Sequence, residues 1–146
     1  MTTYMYTKGM SAEEYNSCGY GIIIDDGSKS QILYGSTDFA TAEYIELYAI
    51  VRGLQHITQV GCNICIITNC KYIVNNINNG LLYVWENNNW KDSENNPVPY
   101  ADLWKMLLTI MQLNNIILMF QNHINIKKCE AYAIAKARGI KLKEVS

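Results

Sequence analysis

The sequence has little excess charge, few histidines and no long apolar run, and each shortage closes off a class of function. Twelve Lys and Arg against thirteen Asp and Glu leave a net charge of −1, so no global positive field draws nucleic acid to the chain. No apolar run approaches the roughly 18 residues of a membrane span, and no signal-peptide pattern opens the chain. A soluble, intracellular protein with no membrane partner is expected, with nothing to separate cytoplasm from nucleus. No Ser/His/Asp arrangement, phosphate-binding loop or dinucleotide fingerprint is present. The five cysteines are an odd number and too sparse for a disulfide scaffold. Cys62 and Cys65 form the pair CNIC, but in a strand positions three apart face opposite sides and no second pair follows. Buried free thiols are expected there instead of zinc.

What the chain does have is 49% hydrophobic residues in 146, enough for one domain over residues 1–146 with one core. TTYMYT (Thr2–Thr7), GYGIII (Gly19–Ile24) and SQILYGS (Ser30–Ser36) read as strands, and the Asp-Gly in DDGSKS makes the latter two an antiparallel hairpin. From Thr41 to Ile57 the period changes: Leu47, Ile50, Val51, Leu54 and Ile57 fall at helical spacing, with Thr41 as N-cap, Glu43 in the first turn and His56 near the C-terminal end of the dipole. CNICIITN (Cys62–Asn69) is nearly continuous apolar, as a strand covered on both faces must be. A short helix over CKYIVNNINN, an aromatic and polar stretch Gly80–Tyr100, an amphipathic helix over ADLWKMLLTIMQL, a strand Asn115–Phe120 and a helix Cys129–Ala137 complete the order β-β-β-α-β-α-α-β-α. Hairpin first, alternation after, predicts an α/β fold: a mixed five-stranded sheet flanked by helices.

Six segments in this order resemble type 1 ribonuclease H over nearly the whole chain. YTKGMS (Tyr6–Ser11) stands where that family has a strand ending in Thr-Asp-Gly-Ser, and GYGIII is similar to its second strand. YIELYAIVRGL is similar to its Met-Glu-Leu helix and IITNCKYIV to its Thr-Asp-Ser-x-Tyr-Val segment. WENNNWKDSENNPVPYADLW follows its Trp-rich protrusion, and NHINIKKCEAYAIAKA its histidine loop and final helix. The resemblance implies a ribonuclease H-like fold and a family that cleaves the RNA strand of RNA–DNA hybrids with two divalent ions held by four acids. Carried over residue by residue, the acids fall on Lys8, Glu46, Asn69 and Glu130, and the mobile histidine on His123, whose following loop is shortened.

A lysine and an amide at two ligand positions are therefore expected to defeat metal binding. A Lys8 ammonium about 4 Å from a dication, at an effective dielectric near 20, is repelled by roughly 8 kcal/mol, whereas millimolar binding corresponds to about 4 kcal/mol. Lys8 is instead expected to act as an internal counter-ion between Glu46 and Glu130, with Asn69 bonded to the same cluster. The phosphate-facing segments are acidic as well: Glu13 and Glu14 follow the first strand, and one lysine, Lys91, stands among Glu86, Asp92 and Glu94 in the protrusion. Trp85 and Trp90 are expected to pack the base of that protrusion, and Lys136, Arg138, Lys141 and Lys143 to form a solvated basic end. The sequence reading is a catalytically inactive ribonuclease H-like domain without a cofactor, acting as a protein-interaction or structural module with a protein partner or a second copy, and with weak or absent hybrid binding. The alternatives are a hybrid endoribonuclease dependent on Mg²⁺ or Mn²⁺, with other acids such as Asp25 or Asp38 recruited, and a non-cleaving nucleic-acid binder.

Overall fold

The computed structural model describes residues 1–57 and 59–142, which leaves Lys143 of the basic end outside the described residues. Its elements are β1 (Thr2–Ala12), a 3₁₀ turn (Glu13–Tyr15), β2 (Ser17–Asp25), β3 (Ser30–Asp38), α1 (Ala42–Gln55), β4 (Asn63–Thr68), α2 (Lys71–Asn78), α3 (Leu81–Asn87), α4 (Ala101–Leu113), β5 (Asn115–Phe120) and α5 (Ile124–Ala137). The strands form one sheet in the order β3-β2-β1-β4-β5. β1–β2 and β2–β3 pair antiparallel, β1–β4 and β4–β5 parallel. No helix of the described residues is long and apolar enough to cross a membrane.

Strand alternation sorts the apolar side chains onto two faces. Met5, Ile22, Ile64 and Ile66 join α1 and α4 in the main core, around Leu47, Ile50, Trp104 and Leu107. Their chain neighbours Tyr6, Ile23, Cys65 and Ile67 meet Ile126 and Cys129 of α5 in a second cluster. Burying β4 from both sides is what its unbroken apolar sequence required. Trp85 and Trp90 pack against the main core, Trp85 with its ring centroid 5.7 Å from that of Trp104.

Among the differences from the sequence reading are two boundaries and one additional helix. β1 continues past Thr7 to Ala12, because its ladder with β2 runs on to Ala12↔Ser17. Leu81–Asn87 forms a helix inside the aromatic and polar stretch, anchored by the single buried side chain of Leu82. α5 begins at Ile124 and not at Cys129, since His123 caps it: the ring Nδ1 accepts from the backbone N–H of Asn125 at 3.0 Å. An imidazole is an uncommon N-cap, so composition alone did not mark that helix start.

α1 starts where expected, with Thr41 Oγ1 accepting from Tyr44 N at 3.2 Å. Thr41→Ala removes that acceptor and is expected to cost about 1 kcal/mol, read as a lower urea midpoint at unchanged m. An unchanged midpoint would mean that the Tyr100 hydroxyl, which also bonds Thr41 Oγ1, takes over the cap.

Candidate active site

A polar cluster forms at the carboxyl ends of the two parallel strands β1 and β4, the end of an open α/β sheet where ligands bind. The β1–β4 pairing ends at Tyr6↔Ile67; Lys8 lies just beyond it on β1, and Asn69 follows the last residue of β4. Gly9 brings the third element in. A Cβ there would stand 2.6 Å from the Ile45 carbonyl and 2.8 Å from Glu46 N, so only glycine lets β1 approach the first turns of α1 this closely. Glu46 is thereby pressed against the strand end and is buried at 4% exposure.

Lys8 connects these parts. Its Nζ lies 2.7 Å from Glu46 Oε1 and donates to Asn69 Oδ1 at 3.0 Å. Asn69 is oriented from its other side by donating Nδ2 to Asn122 Oδ1 at 3.3 Å. The Lys8–Glu46 pair is largely withdrawn from water, with side-chain exposures of 16% and 5%. Glu46 Oε2 is buried and has no hydrogen-bond partner. Burial pushes the Glu46 carboxyl above its ordinary pKa, more strongly than the Lys8 ammonium beside it pulls it down; Glu130 adds a smaller upward push.

α5 carries Glu130 to this region by a second close approach. Lys8 pairs with Gly21 across β1 and β2, and a Cβ on Gly21 would meet the Cys129 carbonyl at 2.3 Å. The helix backbone therefore lies directly on the sheet beside Lys8. Cys129 itself is sealed beneath, its thiol pushed up to about 12 by burial. Among the described residues, however, Glu130 makes no ion pair with Lys8: the ammonium bridges Glu46 and Asn69, not the two glutamates. That corrects the expected bridge to Glu130, while the expected bond to Asn69 is made. His123 has its Nδ1 engaged in the α5 cap, and its ring lies against that of Tyr6 with centroids 4.7 Å apart. Asp25 accepts from Gly27 N in the hairpin turn, and Asp38 ends the edge strand β3, so neither is recruited.

Sequence reasoning overlooked three cations. Lys71 opens α2 two residues after Asn69, and Lys127 and Lys128 lie on α5 just before Glu130; all are exposed. Their signal was spacing, since Lys127 and Glu130 at i and i+3 share a helix face. Among the described residues no three or more His, Cys, Asp or Glu side chains come together to hold a metal. The paired ions implied by the resemblance do not fit the donors present: one carboxylate already held on one oxygen by an ammonium, one neutral amide and one glutamate that makes no ion pair with Lys8.

These elements define an α/β protein whose polar cluster of Lys8, Glu46 and Asn69 sits at the ends of its central parallel strands. The family model for RNase H matches residues 1–131, and the chain belongs to that family. It is 32% identical over 112 residues to Ribonuclease H of Chlorobium phaeobacteroides, covering 77% of this chain and 76% of that protein. It is 34% identical over 113 residues to Ribonuclease H of Caldicellulosiruptor saccharolyticus, covering 77% of each. Among solved structures it matches LC9-RNase H1, a type 1 RNase H with the type 2 active-site motif, at TM-score 0.73 and 14% identity over 96% of this chain and 74% of that one. A foamy viral protease-reverse transcriptase in complex with RNA/DNA hybrid matches at TM-score 0.78 and 17% identity, over 95% of this chain and 20% of that one. The fold is RNase H-like. The expectation of a catalytically inactive, protein-interaction module is overturned: the relatives that share about a third of their residues with this chain are ribonucleases H.

Proposed function

We propose that the chain is a ribonuclease that hydrolyses the RNA strand of RNA–DNA hybrids at the Lys8–Glu46–Asn69 pocket. The observation that carries this reading is the convergence of those three side chains at the ends of β1 and β4 in a chain of the RNase H family. The hybrid seen with the foamy viral enzyme supports the substrate class. In place of the protein partner or second copy expected from the sequence, the ligand on this reading is a hybrid duplex. Exposed Lys71, Lys127 and Lys128 offer it phosphate contacts despite the chain's net charge of −1.

Each residue has a defined task. The Lys8 ammonium presents fixed positive charge to the phosphodiester, in a site where partial burial strengthens it. Glu46 and Asn69 hold that ammonium in place. Glu130, free of any ion pair among the described residues, takes a proton from the attacking water as it adds to phosphorus. One P–O bond breaks, and the departing oxygen leaves with a proton from solvent.

The test is cleavage of an end-labelled hybrid beside DNA and RNA duplexes of the same sequence, in Mg²⁺, in Mn²⁺ and in chelator. Selective cleavage of the hybrid is expected, slowed about 100-fold by Glu46→Gln as Lys8 loses its anchor. A folded wild-type chain that leaves the hybrid whole in all three conditions would overturn the reading.

A further inference from the structure

We propose that Lys8 is a resident cation: its ammonium stands in the pocket in place of the divalent ions that the family resemblance implies, excludes Mg²⁺ and Mn²⁺, and keeps one N–H for a phosphate oxygen. The oxygens that an ion would need are already spoken for. Nζ sits 2.7 Å from Glu46 Oε1 and 3.0 Å from Asn69 Oδ1. A Mg²⁺ ion taking either oxygen at its usual distance of about 2.1 Å would stand against a positive charge already bound to the same atom.

Both sides of the contact are held from outside it. Asn69 is pinned by its bond to Asn122, which directs Oδ1 at Lys8. The Lys8 backbone is fixed in the β1–β2 ladder opposite Gly21, and the next residue, Gly9, is locked against α1. Within the Lys8–Glu46–Asn69 cluster the acceptor left open is Glu46 Oε2, buried and unpartnered. It is a single oxygen beside an ammonium, whereas Mg²⁺ demands near-octahedral oxygen coordination. Among the described residues no three acidic, histidine or cysteine side chains gather to supply more ligands.

The arrangement also points outward. An ammonium has three N–H donors, and Glu46 and Asn69 take two. The lysine side chain keeps 16% of its surface open, enough for its third donor to reach an incoming anion. A phosphodiester oxygen is the anion that fits, singly charged and able to approach end-on. Electrostatic help that the family draws from mobile ions is, in this chain, built into the polypeptide.

The inference rests on the pocket proposed above as the working site, but its test uses no hybrid. The wild-type chain is titrated with Mn²⁺ while the electron paramagnetic resonance signal of free Mn²⁺ is followed. No saturable binding is expected up to about 1 mM. The paired change Lys8→Asp with Asn69→Asp is expected to bind Mn²⁺ at least about tenfold more tightly than wild type, and adding Glu46→Gln to that pair to reverse the gain. Saturable binding by the wild type that Glu46→Gln abolishes would overturn the proposal, and this wild-type trace decides even if the paired variant does not fold. A chain that takes up no Mn²⁺ and cleaves no hybrid leaves the resident cation standing and removes the ribonuclease reading. A chain that cleaves hybrid and binds Mn²⁺ through Glu46 does the opposite.

Discussion

Gly19→Ala is expected to destabilise the protein by at least about 3 kcal/mol and to lower its melting temperature by roughly 10 °C. A Cβ at this position would stand 1.9 Å from the Ala133 carbonyl oxygen and 2.5 Å from Ala137 N. Both are backbone atoms of α5, so no rotamer change relieves the clash; the helix must lift from the sheet. Lifting it opens the second core cluster of Tyr6, Ile23, Cys65, Ile67, Ile126 and Cys129. It also displaces Glu130 from the pocket, so hybrid cleavage should fall along with stability. Gly53→Ala is the control. Its Cβ would meet Met5 Sδ at 2.6 Å, an adaptable thioether that can turn aside, and alanine regains roughly 1 kcal/mol of helix propensity. Chemical denaturation of the two variants side by side checks the contrast. Equal losses would mean that α5 does not rest on the Gly19 backbone as described.

The same contacts show what could and could not be read in advance. The continuous apolar run of β4 and the helical spacing of α1 are local patterns, and both map onto burial. Gly9, Gly19 and Gly21 were invisible as packing determinants, because a missing Cβ matters only once the facing backbone is known. His123 as a cap and Leu81–Asn87 as a helix were missed for a related reason: an unusual capping side chain and one buried leucine outweighed composition. At the site, Lys8 and Glu46 were foreseen as an ion pair, and the 2.7 Å separation supplies it. The bond to Asn69 is also the one the sequence leads one to expect, whereas the pairing with Glu130 is not made, and it depends on side-chain directions no spacing rule encodes. The functional expectation failed at a different step. It passed from altered charge to absent activity, whereas the fold keeps a polar pocket with a cation, carboxylates and nearby exposed lysines in a family of ribonucleases H.

Lys8→Met is expected to cost about 3–5 kcal/mol at neutral pH, because it removes one partner of a buried ion pair and leaves the other charged and unpaired. Glu46 is the residue left behind. It is 4% exposed, and its Oε2 lacks a hydrogen bond even when Lys8 is present. The pH dependence follows from the direction of its shift. The folded-state pKa is raised above the ordinary value of 4.5 by burial, so the folded chain holds the Glu46 proton more tightly than the unfolded chain does. This group's contribution is fully favourable below pH 4.5 and is lost as pH rises through the folded-state pKa. Removing Lys8 takes away the main influence that lowers that pKa, so the window widens and the deficit of Lys8→Met should shrink as pH falls from 7 towards 4.5. Adding Glu46→Gln to Lys8→Met should recover most of the stability at pH 7, since a buried pair replaced on both sides is often nearly neutral. Denaturant midpoints for the single and double variants across that pH range measure both effects. A Lys8→Met deficit that is small, independent of pH and unrelieved by Glu46→Gln would show that the ammonium does not neutralise Glu46, and both the anchored lysine and the resident cation would go with it.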